Sequence, residues 1–139
     1  MALHTDLSIY KLCYDLLKLT ATLTRNMPKD WKTSYGTMMR NECLSMLLLI
    51  AKANAAKDKV PHIAALLEHQ LVISLLFQLA NDMRFISPKQ YAETVVLTGR
   101  IGAQAGGWKR QQEEQAMART SHAAAPAARG SRPSRPSAS

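Results

Sequence analysis

Aromatic side chains are scarce in this chain: Phe, Trp and Tyr make up 6% of its 139 residues, although 47% are hydrophobic. The apolar set is mostly Ala, Leu and Met. These favour helices, whereas a sheet protein draws on β-branched and aromatic residues. An all-α fold is expected. Cysteine is nearly absent as well. Cys13 and Cys43 both fall inside apolar helical pattern, and a disulfide framework needs more thiols, set among loops. They read as reduced core residues. The strongly apolar runs, residues 44–51 and 71–77, fall short of the roughly 20 residues that cross a bilayer. No basic segment precedes an apolar stretch at the N-terminus, so no signal peptide is visible. A cytoplasmic protein without membrane contact is expected.

Motifs that carry chemistry are missing too. His62 and His69 share a helix face with Glu68 adjacent, but no HExxH or Cys-x-x-Cys pattern accompanies them. Glu42, Glu68 and Glu93 lack the histidine three residues on that di-metal carboxylate bundles require. They read as surface or ion-pairing residues. No catalytic residue, metal or cofactor is expected, and the chain does not read as an enzyme.

Residues 99–108, "GRIGAQAGGW", match neither GxxxxGK[ST] nor GxGxxG, and they follow helical pattern instead of a strand. Gly99, Gly102, Ala103 and Gly106 instead fall at i, i+3, i+4 and i+7, one helix face lined with small residues. Each internal glycine costs a helix about 1 kcal/mol relative to alanine. A close-packing face that compensates is expected, with Trp108 anchoring its end. The competing reading ends the helix at Gly106–Gly107 and makes the rest a linker.

What is present is helical periodicity cut by breakers. Pro28, the Lys57–Lys59 turn before Pro61, and Ser87–Pro88 divide the chain into helices of about 6–27, 33–56, 61–84 and 88–112. Pro61 and Pro88 suit a first turn, and Ser87 suits an N-cap. Short turns between similar helices describe an antiparallel up-down four-helix bundle over residues 1–115. Residues 116–139, rich in Ala, Pro, Ser and Arg, read as a disordered tail. The apolar surface is larger than one bundle can bury. Helix one carries only a narrow polar stripe (Ser8, Lys11, Asp15, Lys18, Thr22, Arg25), and "CLSMLLLIA" and "LVISLLFQLA" are apolar nearly all round. Homo-oligomerisation is expected.

Lys and Arg number 18 against 10 Asp and Glu, a formal net charge of +8. Such a surface attracts polyanions, nucleic acid foremost, or simply keeps the protein soluble. The candidate electrostatic contacts are Arg40, Lys52, Lys57, Lys59, Arg84, Lys89, Arg100, Lys109 and Arg110. Residues 60–83 contain no Lys or Arg. With no RNA-binding signature, binding would be weakly sequence-specific and strongly salt-dependent.

Three stretches, "DLSIYKLCYDLLKLTATLTRNMPKD", "TSYGTMMRNECLSMLLLIAKA" and "SPKQYAETVVLTGRIGAQAGGW", resemble the four-helix-bundle family that includes the intervening-sequence proteins of large-subunit ribosomal RNA. Within it the chain is more similar to Avd, the accessory variability determinant of diversity-generating retroelements. Where the intervening-sequence branch carries Asn-Ile-x-Glu-Gly, this chain has "LLIAKANAAK", which favours the Avd branch. The resemblance implies a barrel-like homopentamer with a basic surface and no chemistry of its own. Its implied partners are the retroelement's reverse transcriptase and template or spacer RNA, and the complex makes mutagenised cDNA. The alternative is a standalone RNA- or protein-binding bundle of the intervening-sequence type.

Overall fold

Prolines and short polar turns cut the chain where helix chemistry demands. The computed structural model describes residues 3–131; residues 132–139, the end of the expected tail, lie outside the described residues. After a short 3-10 turn at His4–Asp6 come helices α1 (Ser8–Arg25), α2 (Lys29–Ala55), α3 (Val60–Asp82) and α4 (Pro88–Ser131). No strand occurs among the described residues.

Each boundary has a local cause. The Pro28 carbonyl accepts from the amides of Trp31 and Lys32 at 3.0 and 2.8 Å, so α2 begins at once after the proline, four residues ahead of the expected start. Ser87 and Gln90 form a reciprocal capping box. The Gln90 amide donates to Ser87 Oγ at 3.1 Å, and the Ser87 amide donates to Gln90 Oε1 at 2.9 Å. Pro88 then opens α4 without needing an amide partner. At the end of α3, Arg84 takes a left-handed conformation (φ 61°). The Phe85 amide reaches back to the Ala80 carbonyl at 2.8 Å and that of Arg84 to Asn81 at 3.0 Å. This pairing satisfies carbonyls that a helix end otherwise leaves bare.

The helices pack in the cyclic order α1–α2–α3–α4–α1. The core runs through Leu16, Met39, Met46, Ile50, Ile63, Leu66, Ile73, Phe77 and Ile101, all buried. Polar groups within it are satisfied: Thr20, Thr94 and Thr98 donate to carbonyls of their own helices at 2.7–2.8 Å, and Tyr35 Oη donates to the Leu76 carbonyl at 2.9 Å. Cys13 and Cys43 are buried and free. Burial pushes the Cys13 thiol up to about 12 and the Cys43 thiol up to about 11.

Two sequence expectations change here. The disordered tail was expected from residue 116, yet α4 is helical to Ser131. Seven of the residues 116–131 are alanine, and extending an existing helix needs no new nucleus. At about 1.5 Å per residue, the 44 residues of α4 span about 66 Å against about 35 Å for the 23 of α3. The second change concerns α3, which is by length and composition apolar enough to cross a membrane, with a mean hydropathy of 1.6 over 18 residues. The apolar run counted in the sequence was shorter because Gln70 and Gln78 interrupt it. In the bundle α3 packs between α2 and α4.

Candidate nucleic-acid interface

An up-down bundle collects its turns, and hence its charged residues, at two ends. One end holds the start of α1, the α2–α3 turn and the part of α4 where it leaves the bundle. Lys52, Lys57, Lys59, Lys109 and Arg110 gather there. The other end holds Arg84 and Lys89, while Arg40 and Arg100 lie along the sides. The structure therefore divides the nine expected cations among several surfaces.

Their local engagements differ further. Lys59 folds back over the end of α2, and its Nζ donates to the carbonyls of Ala53, Asn54 and Ala56, each at 2.9 Å. It caps a helix C-terminus, where a cation is favoured. Lys109 pairs with Glu113 at 3.2 Å. Arg110 is exposed, and its guanidinium lies back over Gly106 and Gly107 at 3.9 Å from where their Cβ atoms would be. Arg40 is half-buried and donates to Thr37 Oγ1 at 3.2 Å. Lys52, Lys57, Arg84, Lys89 and Arg100 are exposed.

The overhang of α4 gives the first end a second wall. A cleft of about 660 Å³ lies between the α2–α3 turn and α4, lined by Lys57, Asp58, Lys59, Gln112, Gln115 and Arg119. Arg119 was overlooked in the sequence because its stretch read as tail. The signal that could have found it is the helix propensity of the alanines around it. The opposite end also carries the exposed Arg25, Lys29 and Lys32, which were not among the expected contacts. They follow from the rule that turns of a bundle share an end.

The glycine face resolves differently from expectation. Only Gly102 meets a neighbouring helix, and what fills its space is a side chain: Gln70 Nε2 lies 3.1 Å from where a Cβ would stand. That amide crosses the glycine to donate to the Thr98 carbonyl at 3.0 Å, tying α3 to α4. Gly99 has nothing within 4 Å, and Gly106 meets only Arg110. The three glycines share a face, but most of it looks away from the chain's own helices. Trp108 is half-buried against the core. It lines a groove of about 410 Å³ with Leu7, Ile9, Gln104 and Gly107.

Of the acidic residues, Glu42 hydrogen-bonds His69 across α2 and α3, a contact that becomes an ion pair only when the histidine is protonated. Among the described residues, no three His, Cys, Asp or Glu side chains gather as metal ligands.

Two unlike groups stand out among the exposed apolar side chains. On α3 and its C-cap Met83, the side chains of Leu71, Val72, Leu75, Leu79 and Met83 are 42–66% exposed and fall within an arc of roughly 120°. The second group crosses α1 and α2. The approach of Thr20 Oγ1 to Cys43 Sγ at 3.6 Å sets the register of that pair and puts exposed Tyr14 level with exposed Leu48, one helical turn along α2 from exposed Leu44.

A family model described as bAvd-like matches residues 7–112, from the start of α1 to the end of the bundled part of α4. No curated protein matches the chain.

Proposed function

The chain belongs to the bAvd-like family, and we propose that it is the non-catalytic accessory protein of a diversity-generating retroelement. In this role it binds the element's reverse transcriptase and its template or spacer RNA, in the cytoplasm, and enables mutagenic cDNA synthesis. The polymerase chemistry belongs to the reverse transcriptase. The observation that carries this reading is the family match across the whole bundle; the net charge of +8 and its concentration at the bundle ends support an RNA partner.

The two unlike apolar faces support self-association of a particular kind. A dimer about a two-fold axis uses one face twice, whereas two different faces joining head to tail generate a ring where the rotation closes and a filament where it does not. A homopentameric ring is the form we propose. Light scattering tests it: a ring of five chains of 15.4 kDa is expected, and a monomer at micromolar concentration would remove the interface.

The functional reading is tested by co-expressing the protein with the reverse transcriptase and RNA of the same element. A ternary complex, resolved by electron microscopy, is expected. RNA binding without any polymerase contact would instead favour a standalone intervening-sequence type of protein.

A further inference from the structure

We propose that the cleft between the α2–α3 turn and the overhang of α4 is where single-stranded RNA backbone sits, with Lys57 and Arg119 as the phosphate-contacting cations. This deepens the RNA-binding reading above and rests on it.

The argument begins with charge. Lys57, Lys59 and Arg119 line the cleft against a single carboxylate, Asp58. That carboxylate already accepts from the Val60 amide at 3.3 Å. The ammonium donors of Lys59 are all taken by the α2 carbonyls, so it contributes field but no direct contact. Lys57 and Arg119 are exposed and have no hydrogen-bond or ion-pair partner among the described residues. One stands on each wall, so a strand contacting both must run through the cleft.

The lining also says what kind of ligand fits. Gln112 and Gln115 provide amides that donate and accept, and no aromatic side chain lines the space. Bases would find no stacking platform there, while phosphate and ribose oxygens find donors. Recognition of this form is tolerant of sequence. The acidic residues of the overhang do not oppose it: at about 100° per residue, Glu113 and Glu114 fall on other faces of α4, and Glu113 is engaged by Lys109.

The test uses the full-length protein and a labelled oligouridine followed by fluorescence anisotropy across a salt series. The variant K57A/R119A is expected to bind about tenfold more weakly at low salt. The slope of log K against log salt should flatten by about 1.4, two single-strand phosphate contacts. K11A/K18A, which removes two exposed cations of the α1 polar stripe, is expected to match the wild type, and R84A/K89A carries the competing candidates at the opposite end of the bundle. Gln115→Leu removes one of the lining amides without changing charge and is expected to weaken binding, though less than K57A/R119A. Wild-type affinity and slope in K57A/R119A would overturn the cleft while leaving the RNA-binding reading standing. So would a loss confined to R84A/K89A, or a loss of polymerase binding with RNA binding intact. No RNA binding by the wild type would overturn both.

Discussion

The ammonium of Lys59 touches three carbonyls at the end of α2, a geometry that serves stability before any ligand arrives. Replacing it with Met leaves those carbonyls to water and should cost about 1–2 kcal/mol, read in a thermal or urea melt. Arg84 presents the opposite case. A left-handed φ of 61° is costly for any residue with a Cβ, so Arg84→Gly should stabilise the fold by about 1 kcal/mol in the same assay. Buried acids add a pH dependence. Cys13, Cys43 and Tyr35 are all pushed above their ordinary values by burial, so folding favours their protonated forms. Their contribution is complete below the ordinary values of 9 and 10 and is lost as pH climbs through the raised ones. Denaturant midpoints should therefore fall above about pH 9, and both thiols should resist a thiol reagent until the protein unfolds.

At the scale of the helix, Gly99 and Gly102 separate two effects that sequence spacing merges. Gly99→Ala places a methyl in open space and should stabilise α4 by about 1 kcal/mol in a monomer. Gly102→Ala drives into Gln70, 3.1 Å away, and loosens the bond to Thr98, so its helix gain should be cancelled or reversed. If Gly99 also lies in the subunit contact, its alanine variant will raise the melting temperature yet weaken assembly, which light scattering separates. The helix count and the α3–α4 boundary were legible in the sequence because Ser87, Pro88 and Gln90 write a cap in local chemistry. The 3.6-residue period likewise put the buried thiols inside, whereas the buried Thr20, Thr94 and Thr98 were not read from it. What was not legible depends on distance along the chain. Lys59 looks like any other surface cation until its carbonyl partners are known, and Gly99 looks like Gly102 until the neighbouring helix is placed. Arg119 was hidden by composition, since the prolines and serines of its stretch spoke against a helix that the alanines sustain.

For the whole molecule, the proposed ring turns on a meeting of its two apolar faces. Leu44→Glu spoils the α1–α2 face and Leu75→Glu the α3 face; both side chains are more than half exposed, so neither change should harm the fold. Each variant alone should be monomeric. Mixed, each still holds one intact face that the other lacks, so together they should form a dimer and nothing larger. A face that pairs with itself would give homodimers of at least one variant instead. The length of α4 has a consequence beyond the single cleft it walls. In the proposed ring, with the bundle axes set along the rotation axis, the copies would all send their overhangs out of the same side, giving a crown and a bare base. An RNA held as proposed among those prongs would meet several equivalent grips at once, and its residence time would be set by their number more than by any single contact. The proposed polymerase partner would then find only one side that already carries template.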